Sequence, residues 1–254
     1  MSTDSKNRNL SACYLNSMSL ISTVFKNAWF PRVFPFLLFI WFLAIERLIT
    51  LLSRHYDFMQ PVAEYDGYFM YPVKTVVVAV VLLLFWNRYT EVDIKQAFSW
   101  KNLSIGFVAG IVVFVLWINM DRGFAVIGRP EGDNLLLAGP PIVAYLMISF
   151  RLFGAAVVVP VFEEIFWRSF IIRYLIDPKF ENVPVGKFTW PSFIISSVLF
   201  GFEHNLWLAG IVAGIAYCLV LYYTKSLGTA ILSHGVTNLL LGIYVLSTGN
   251  WHFW

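Results

Sequence analysis

Two glutamates and an arginine lie together in the stretch FEEIFWRSF, residues 162–170, which is otherwise apolar. On a helix, Glu164 and Arg168 share a face and can form an ion pair, whereas Glu163 points about 100° away. The arginine can then hold one glutamate while the other stays free to accept a proton. The alternative is a structural ion pair that locks two helices together, since such networks also perturb carboxylates.

Two further polar clusters interrupt the apolar sequence. His204 lies in FGFEHNLW, and His234 and Asn238 lie in SHGVTN. The last two are four residues apart, so on a helix they can present two hydrogen-bond donors to one point. Each cluster alone is also compatible with packing, because His and Asn often bridge helices in membranes. Glu203, next to His204, is expected to face the external interface.

The composition predicts a membrane protein. The chain has 254 residues, is 59% hydrophobic and 13% charged, and has a mean hydropathy of +0.70. Its apolar stretches approach the roughly 20 residues that a membrane-spanning helix needs, and they do not alternate as barrel strands do. We expect an all-α polytopic fold with about seven to eight transmembrane helices. The stretches are 33–52, 73–86, 103–120, 141–176, 188–202, 206–223 and 227–246.

The rest of the chain offers few other features. Residues 1–32 form a polar lead without the pattern of a secretory signal, and residues 33–254 are interpreted as one membrane domain. The longest polar connections, 53–72 and 121–139, are too short for a soluble domain. Lysines and arginines assigned to loops, Arg32 and Arg173 among them, concentrate on the side of the N-terminus, which is therefore predicted to be cytoplasmic. The opposite side has only Arg54, Lys74, Arg122 and Arg129. Loop placement explains the net charge of +3, so no nucleic-acid partner is expected. Cys13 and Cys218 form no disulfide framework.

The depth of the histidines predicts how far the glutamate helix extends. At about 1.5 Å per residue, His234 lies roughly 12 Å and His204 roughly 24 Å from the starts of their spans. Both therefore lie near the middle of a core about 30 Å thick. If Glu163 lies at the same depth, its helix must continue to about residue 176. The stretch 141–176 is then too long for one straight span, and Pro160 and Arg151 mark a possible kink or separate segment.

Carboxylates, imidazoles and an amide at one depth are suited to hydrolysis by an activated water molecule. A glutamate and a histidine can deprotonate water, while a histidine and an asparagine stabilise the oxyanion. The sequence contains neither a nucleophile-elbow serine nor an HExxH motif. The same groups could instead bind zinc through Glu163, His204 and His234.

The motifs EEIFWR, FGFEH and HGVTN match the patterns EExxxR, FxxxH and HxxxN, in that order. In this respect residues 152–246 resemble the CPBP intramembrane proteases, the CAAX protease and bacteriocin-processing (ABI) family. The resemblance implies a CAAX-protease-like helical bundle and a glutamate-type endopeptidase that needs no cofactor, with zinc as the disfavoured alternative. It implies that Glu163 is the base acting with His204, and that His234 and Asn238 form the oxyanion hole. Glu164 would orient the substrate and Arg168 would balance the carboxylates.

The stretches FWRSFIIRYLI, LFGFEHNLWLAGIVAG and WHFW further resemble bacterial CAAX prenyl protease-related proteins found alongside exosortase and PEP-CTERM sorting systems. That resemblance implies the bacterial cytoplasmic (inner) membrane as the location. It also implies membrane lipid and a membrane-associated or C-terminally anchored peptide as partners. Prenylated CAAX substrates are not expected, because bacteria generally lack protein prenylation.

Three other functions remain open from the residues alone. An exosortase-like cysteine transpeptidase would use Cys218 with His204 or His234, although no activating charge lies near the cysteine in sequence. A transporter would also place carboxylates and histidines in the membrane, but along a pathway at several depths. A scaffold without catalysis would tolerate losses in the motifs, and this chain shows none.

Overall fold

The structure is a computed structural model that describes residues 25–128 and 140–253, without the side chains of 64–68. Within these ranges the chain is helical and contains no strand, which confirms the predicted all-α membrane fold. The apolar helices are α1 (Trp29–Ser53), α2 (Gln60–Phe85), α3 (Trp100–Ile118), α4 (Pro141–Ile176), α5 (Trp190–Phe202), α6 (Trp207–Thr224) and α7 (Leu227–Thr248).

Six of these helices are long and apolar enough to cross a membrane, and α5, with 13 residues, is the shorter one. Large apolar side chains on the outside of the bundle are left exposed, including Leu84 at 76% and Trp100 at 87%. Such a surface is unfavourable in water but matches lipid. The bundle is therefore that of an integral membrane protein.

Helix α2 corrects the prediction that 53–72 is a polar connection, because the helix begins at Gln60. Pro61 lies in its first turn, where a residue without an N–H is tolerated. The hydropathy pattern predicted only the apolar second half of this helix. The first half carries polar residues, which lower the hydropathy although their backbone groups still form helical hydrogen bonds. Lys74, interpreted as a loop charge, is instead buried within α2, where its Nζ lies 2.8 Å from Glu46 of α1.

Parts of other predictions fall outside the described residues. Residues 1–24 make up most of the predicted N-terminal lead and include Cys13. Residues 129–139 make up more than half of the second polar connection and include Arg129. Trp254 also lies outside.

Helix α4 runs without a break from Pro141 to Ile176, so Arg151 does not begin a separate segment. Two π-helical segments, Gly154–Val158 and Ile165–Ile171, lie within it. The wider π turn accommodates Pro160, whose ring would clash with a carbonyl oxygen in the preceding turn of a regular α-helix. The second π segment contains Arg168, and π turns are frequent at functional sites.

Two glycines allow the helices that carry the site to approach closely. A Cβ on Gly210 of α6 would lie 2.9 Å from the Cα of Gly201 on α5 and 3.2 Å from Nδ1 of His204. A Cβ on Gly235 of α7 would lie 2.7 Å from the carbonyl oxygen of Ala156 on α4. Small residues of this kind let membrane helices pack backbone to backbone. Substituting either glycine would displace a motif residue.

A buried charged cluster joins the start of α1 to the last turns of α4. Arg32 donates hydrogen bonds from Nε and Nη2 to Glu91, at 2.7 and 2.6 Å. Ser169 also donates to Glu91, and Arg173 Nη2 lies 3.5 Å from the same carboxylate. The Glu91 side chain is only 5% exposed. The prediction that Arg32 and Arg173 are loop charges is thus incomplete, and no sequence pattern distinguishes Glu91.

Glu91 makes the stability of this junction depend on pH. Burial favours its neutral form, but the hydrogen bond and charge of Arg32, with the Ser169 hydrogen bond, hold its pKa below the ordinary value of 4.5. A carboxylate with a lowered pKa in the folded state stabilises the protein above its unfolded pKa, and this contribution is lost as the pH falls through the folded value. We expect the unfolding temperature of wild type in detergent to fall between about pH 5 and pH 3 by more than that of Glu91→Gln. Asp57→Asn, which alters an exposed carboxylate beyond the other end of α1, is the control and should behave as wild type. Equal pH profiles for wild type and Glu91→Gln would contradict the assignment.

Candidate active site

Glu164 lies at the centre of a buried ionic contact between α4 and α7. Its Oε2 lies 3.1 Å from Arg168 Nε, which is the pair expected from the four-residue spacing, and both side chains are 0% exposed. Its Oε1 lies 2.9 Å from Nδ1 of His234. An ionised carboxylate only accepts hydrogen bonds, so Nδ1 of His234 carries the proton and donates it. Glu164 therefore fixes the orientation of the His234 ring.

Aromatic rings surround the charged groups of this contact. The guanidinium of Arg168 lies over Phe200, 4.2 Å from the ring centroid, and over Tyr217 at 5.5 Å. The ring of His234 stacks on Tyr217 with centroids 4.8 Å apart. Cation–π contact favours a desolvated guanidinium, and stacking holds the imidazole in place. Tyr217 is a residue that sequence analysis missed, because an aromatic residue in an apolar helix gives no distinguishing signal.

His204 follows α5 and takes a defined tautomer. Its Nδ1 lies 2.9 Å from the carbonyl oxygen of Phe200. A carbonyl can only accept, so Nδ1 carries the hydrogen, and in the neutral ring Nε2 is left as an acceptor. The ring packs edge-on against Trp117 of α3, with centroids 5.3 Å apart. His204 is thus positioned to accept a proton rather than to donate one.

Asn238 donates a hydrogen bond from Nδ2 to the carbonyl oxygen of Ala155, at 2.8 Å. That carbonyl lies in the first π segment, where hydrogen bonds join residues five apart and Val159 N–H bonds to Gly154. The next donor in the series would be Pro160, which has no N–H. Asn238 therefore satisfies the acceptor that Pro160 leaves open. The amide nitrogen carries a second hydrogen that this bond does not use.

A cavity of about 170 Å³ brings three of the four predicted catalytic residues together. His204, His234 and Asn238 all contribute to its wall. The other lining residues are Trp117, Ala155, Phe200, Ala213, Tyr217, Leu241 and Phe253. Since a water molecule occupies about 30 Å³ in the liquid, the space admits several of them beside polar groups.

Glu163, the fourth predicted catalytic residue, is not among the residues that line this cavity. Its Oε2 is buried and has no hydrogen-bond partner within the described residues. It interacts electrostatically with Glu164 and Glu203, and with Arg168. Of the two neighbouring glutamates, Glu164 is thus engaged by the arginine and by His234, while Glu163 keeps an uncommitted oxygen.

Glu203 lies closer to the site than the sequence indicated. The residue is exposed, but its Oε2 accepts a hydrogen bond from Nε1 of Trp167 on α4, at 2.9 Å. The prediction that it faces the external interface thus omits its contact with the helix that carries Glu163. The contact joins residues 36 apart in sequence, so no local pattern predicts it.

The described residues do not fit the alternatives of a metal centre or a cysteine site. Within the described ranges no group of three or more His, Cys, Asp or Glu side chains could hold a metal ion. His234 contacts Glu164 rather than Glu163, so this contact does not join members of the zinc set suggested from the sequence. Cys218 is fully buried, 3.8 Å from Ser197 Oγ, and does not line the cavity.

Residues 145–240 match the family model described as Rce1-like, type II CAAX prenyl endopeptidase Rce1-like. The match contains the three motifs and confirms the resemblance to the CPBP family. Neither the search of curated proteins nor that of solved structures gave a significant match. The association with exosortase systems stays a prediction.

Proposed function

We propose that this chain, which carries an Rce1-like domain of a membrane protease family at residues 145–240, is an endopeptidase that cleaves within or at the edge of the membrane. Its substrate is a membrane-associated or C-terminally anchored peptide. The observation that carries the proposal is the convergence of His204, His234 and Asn238 on one cavity, next to the buried pair of Glu164 and Arg168. Polar groups in an apolar bundle are costly, and here they surround space for water and a peptide carbonyl.

Water activation is assigned to Glu163 and His204. Within the described residues Oε2 of Glu163 has no hydrogen-bond partner, and Nε2 of His204 is an acceptor because Nδ1 carries the hydrogen. As the water oxygen attacks the peptide carbon, its proton passes to one of these acceptors. The same proton then passes to the leaving nitrogen as the carbon–nitrogen bond breaks, so the enzyme returns to its starting state.

Stabilisation of the oxyanion is assigned to Asn238 and His234. Asn238 is held by Ala155 through one amide hydrogen and can donate the other to the developing charge. His234 donates from Nδ1 to Glu164, at 2.9 Å, so it can donate to the oxyanion only from Nε2 and only when its ring carries two protons. Glu164 then orients His234, and Arg168, whose Nε lies 3.1 Å from Glu164, balances its charge.

The clustering of these residues favours hydrolysis over the other candidate functions. A transporter would distribute its polar groups along a pathway, whereas three of them line a single cavity here. A transpeptidase would need an accessible thiolate, and Cys218 is fully buried. We derive no step through zinc, because the donor set does not fit a metal.

Cleavage of a model membrane peptide in H₂¹⁸O tests the proposal. We expect purified wild type in liposomes to cut the peptide and to place one ¹⁸O atom in the new C-terminus, as hydrolysis requires. Cys218→Ser and treatment with a chelator should leave the rate within about twofold of wild type. Mass spectrometry of the products gives the measurement.

Each alternative predicts a different result in this assay. Loss of activity with a chelator and recovery with zinc would establish a metal enzyme. Loss in Cys218→Ser, with the peptide joined to an added amine, would establish a transpeptidase. The proposal also includes a location in a bacterial inner membrane, a cytoplasmic N-terminus and a link to exosortase systems. Topology mapping and genetic tests address these three points.

A further inference from the structure

We propose that Glu203 is a proton relay that connects Glu163 with water at the turn between α5 and α6. The inference rests on the proposed function and adds to it a residue that acts through Glu163 rather than on the substrate. Glu203 stands at a position that the FxxxH pattern leaves open. The species that it carries is the second proton of the attacking water molecule.

Glu203 lies where local rules disfavour a carboxylate. It directly follows the last residue of α5, and the dipole of a helix disfavours negative charge at that end. Its charge acts on Glu163 more strongly than that of Glu164 or Arg168 does, although Glu164 is the next residue along the chain. Coulomb interactions weaken with distance, so the carboxylates of Glu163 and Glu203 lie near each other. Positions that break local rules in this way are expected to have a functional reason.

Trp167 holds Glu203 against the helix that carries Glu163. It lies about one turn after Glu163 on α4, and its Nε1 donates to Oε2 of Glu203 at 2.9 Å. Oε1 of Glu203 takes no part in this bond. Oε2 of Glu163 is buried and has no hydrogen-bond partner within the described residues. Each of the two carboxylates therefore has an oxygen that can accept a proton.

The turn between α5 and α6 is the place where this pair can reach water. Glu203 is exposed there, whereas Oε2 of Glu163 is buried. The polar segment that follows α3 meets the same turn, since Ile127 donates from its backbone N–H to the carbonyl oxygen of Asn205 at 2.7 Å. A carboxylate exposed to lipid would be costly, so we place Glu203 in contact with water. It thus connects a buried acceptor with the solvent.

Peptide hydrolysis leaves one proton that has to leave the site. The attacking water gives its first proton to the leaving nitrogen by way of the general base, and its second stays on the new carboxylic acid. The O–H bond of that acid breaks as its proton passes to the carboxylate of Glu163. Glu163 then gives the proton to the carboxylate of Glu203, which releases it to water. Both glutamates end the cycle ionised, and the product leaves as a carboxylate.

A comparison of single and multiple turnovers tests the relay, because this proton leaves after the peptide bond has broken. The probe is a model membrane peptide in liposomes, and quenched-flow mass spectrometry gives the rates. We expect Glu203→Gln to cut the first peptide at a rate within about twofold of wild type. Its steady-state turnover should fall by about tenfold or more, which appears as a burst followed by a slow phase.

Two further variants separate a relay from a structural contact. Glu203→Gln keeps an oxygen that can accept the hydrogen bond of Trp167, whereas Trp167→Phe removes that bond and keeps the carboxylate. Trp167→Phe should therefore slow turnover by no more than about threefold. Sodium formate, compared with sodium chloride at equal ionic strength, should restore turnover in Glu203→Ala but not in Glu163→Gln. Glu181→Gln, which alters an exposed carboxylate elsewhere, should behave as wild type.

The possible failures differ from one another. Cleavage by wild type together with undiminished turnover of Glu203→Gln overturns the relay and leaves the proposed function standing. A loss in Glu203→Gln that is equal in single and multiple turnovers also overturns the relay, as does an equal loss in Trp167→Phe. Absence of recovery with formate contradicts it as well. No cleavage by wild type overturns the proposed function and the relay with it.

Discussion

Glu163→Gln and His204→Ala are each expected to lower kcat for a membrane peptide by about 10²- to 10⁴-fold, the usual contribution of a general base. Gln keeps the size of Glu163 but cannot accept the proton of water. Ala at position 204 removes the acceptor nitrogen that the hydrogen bond to Phe200 leaves open. Peptide binding should change little, because neither group is expected to hold the substrate in the ground state. Single-turnover rates in liposomes and co-purification of the peptide measure the two quantities.

Matched controls test whether these losses are specific. Glu181→Gln and His55→Ala alter an exposed carboxylate and an exposed imidazole outside the site, and both should retain wild-type rates. If Glu163→Gln kept full activity while Glu164→Gln lost it, the working carboxylate would be Glu164. Equal losses in all four variants would instead point to poor folding, which thermal unfolding would reveal.

Arg168→Met is expected to destabilise the folded protein by about 3–5 kcal/mol, the usual cost of removing one partner of a buried ion pair. The change leaves the fully buried Glu164 without its cation and removes the contacts of the guanidinium with Phe200 and Tyr217. The double variant Glu164→Gln with Arg168→Met should recover part of the loss, because no uncompensated charge then stays buried. Denaturant unfolding in detergent measures the free energy, and a double-mutant cycle isolates the pair.

An exposed ion pair provides the comparison. Arg122 has a side chain that is 93% exposed and lies 3.7 Å from Asp121. Arg122→Met should hardly change stability, since water screens such pairs. An Arg168→Met protein as stable as wild type would show that the pair contributes nothing to the fold. A double variant no more stable than Arg168→Met would show that the loss comes from packing rather than from the stranded charge.

The helices could be predicted because hydrophobic length is a local property. Each of the seven predicted apolar stretches corresponds to a helix in the structure. The prediction was wrong at residues 60–72, where polar residues in a helix resemble a loop in hydropathy. It was incomplete in α4, which is one continuous helix with two π segments, because a π turn depends on packing that no residue pattern indicates.

For the site, the sequence by itself determined the residue types and the pair within one helix. The Glu164–Arg168 contact follows from helical spacing, which acts over a single turn. Only the tertiary structure decided that His234 joins Glu164 across 70 residues, that Asn238 satisfies the carbonyl left open by Pro160, and that Phe253 reaches the cavity. These contacts depend on how closely the helices approach, which small residues such as Gly235 set, and on where the chain turns after α7. The spacing of residues within one helix specifies neither the helix approach nor the turn, because both arise from the packing of segments that are distant in sequence.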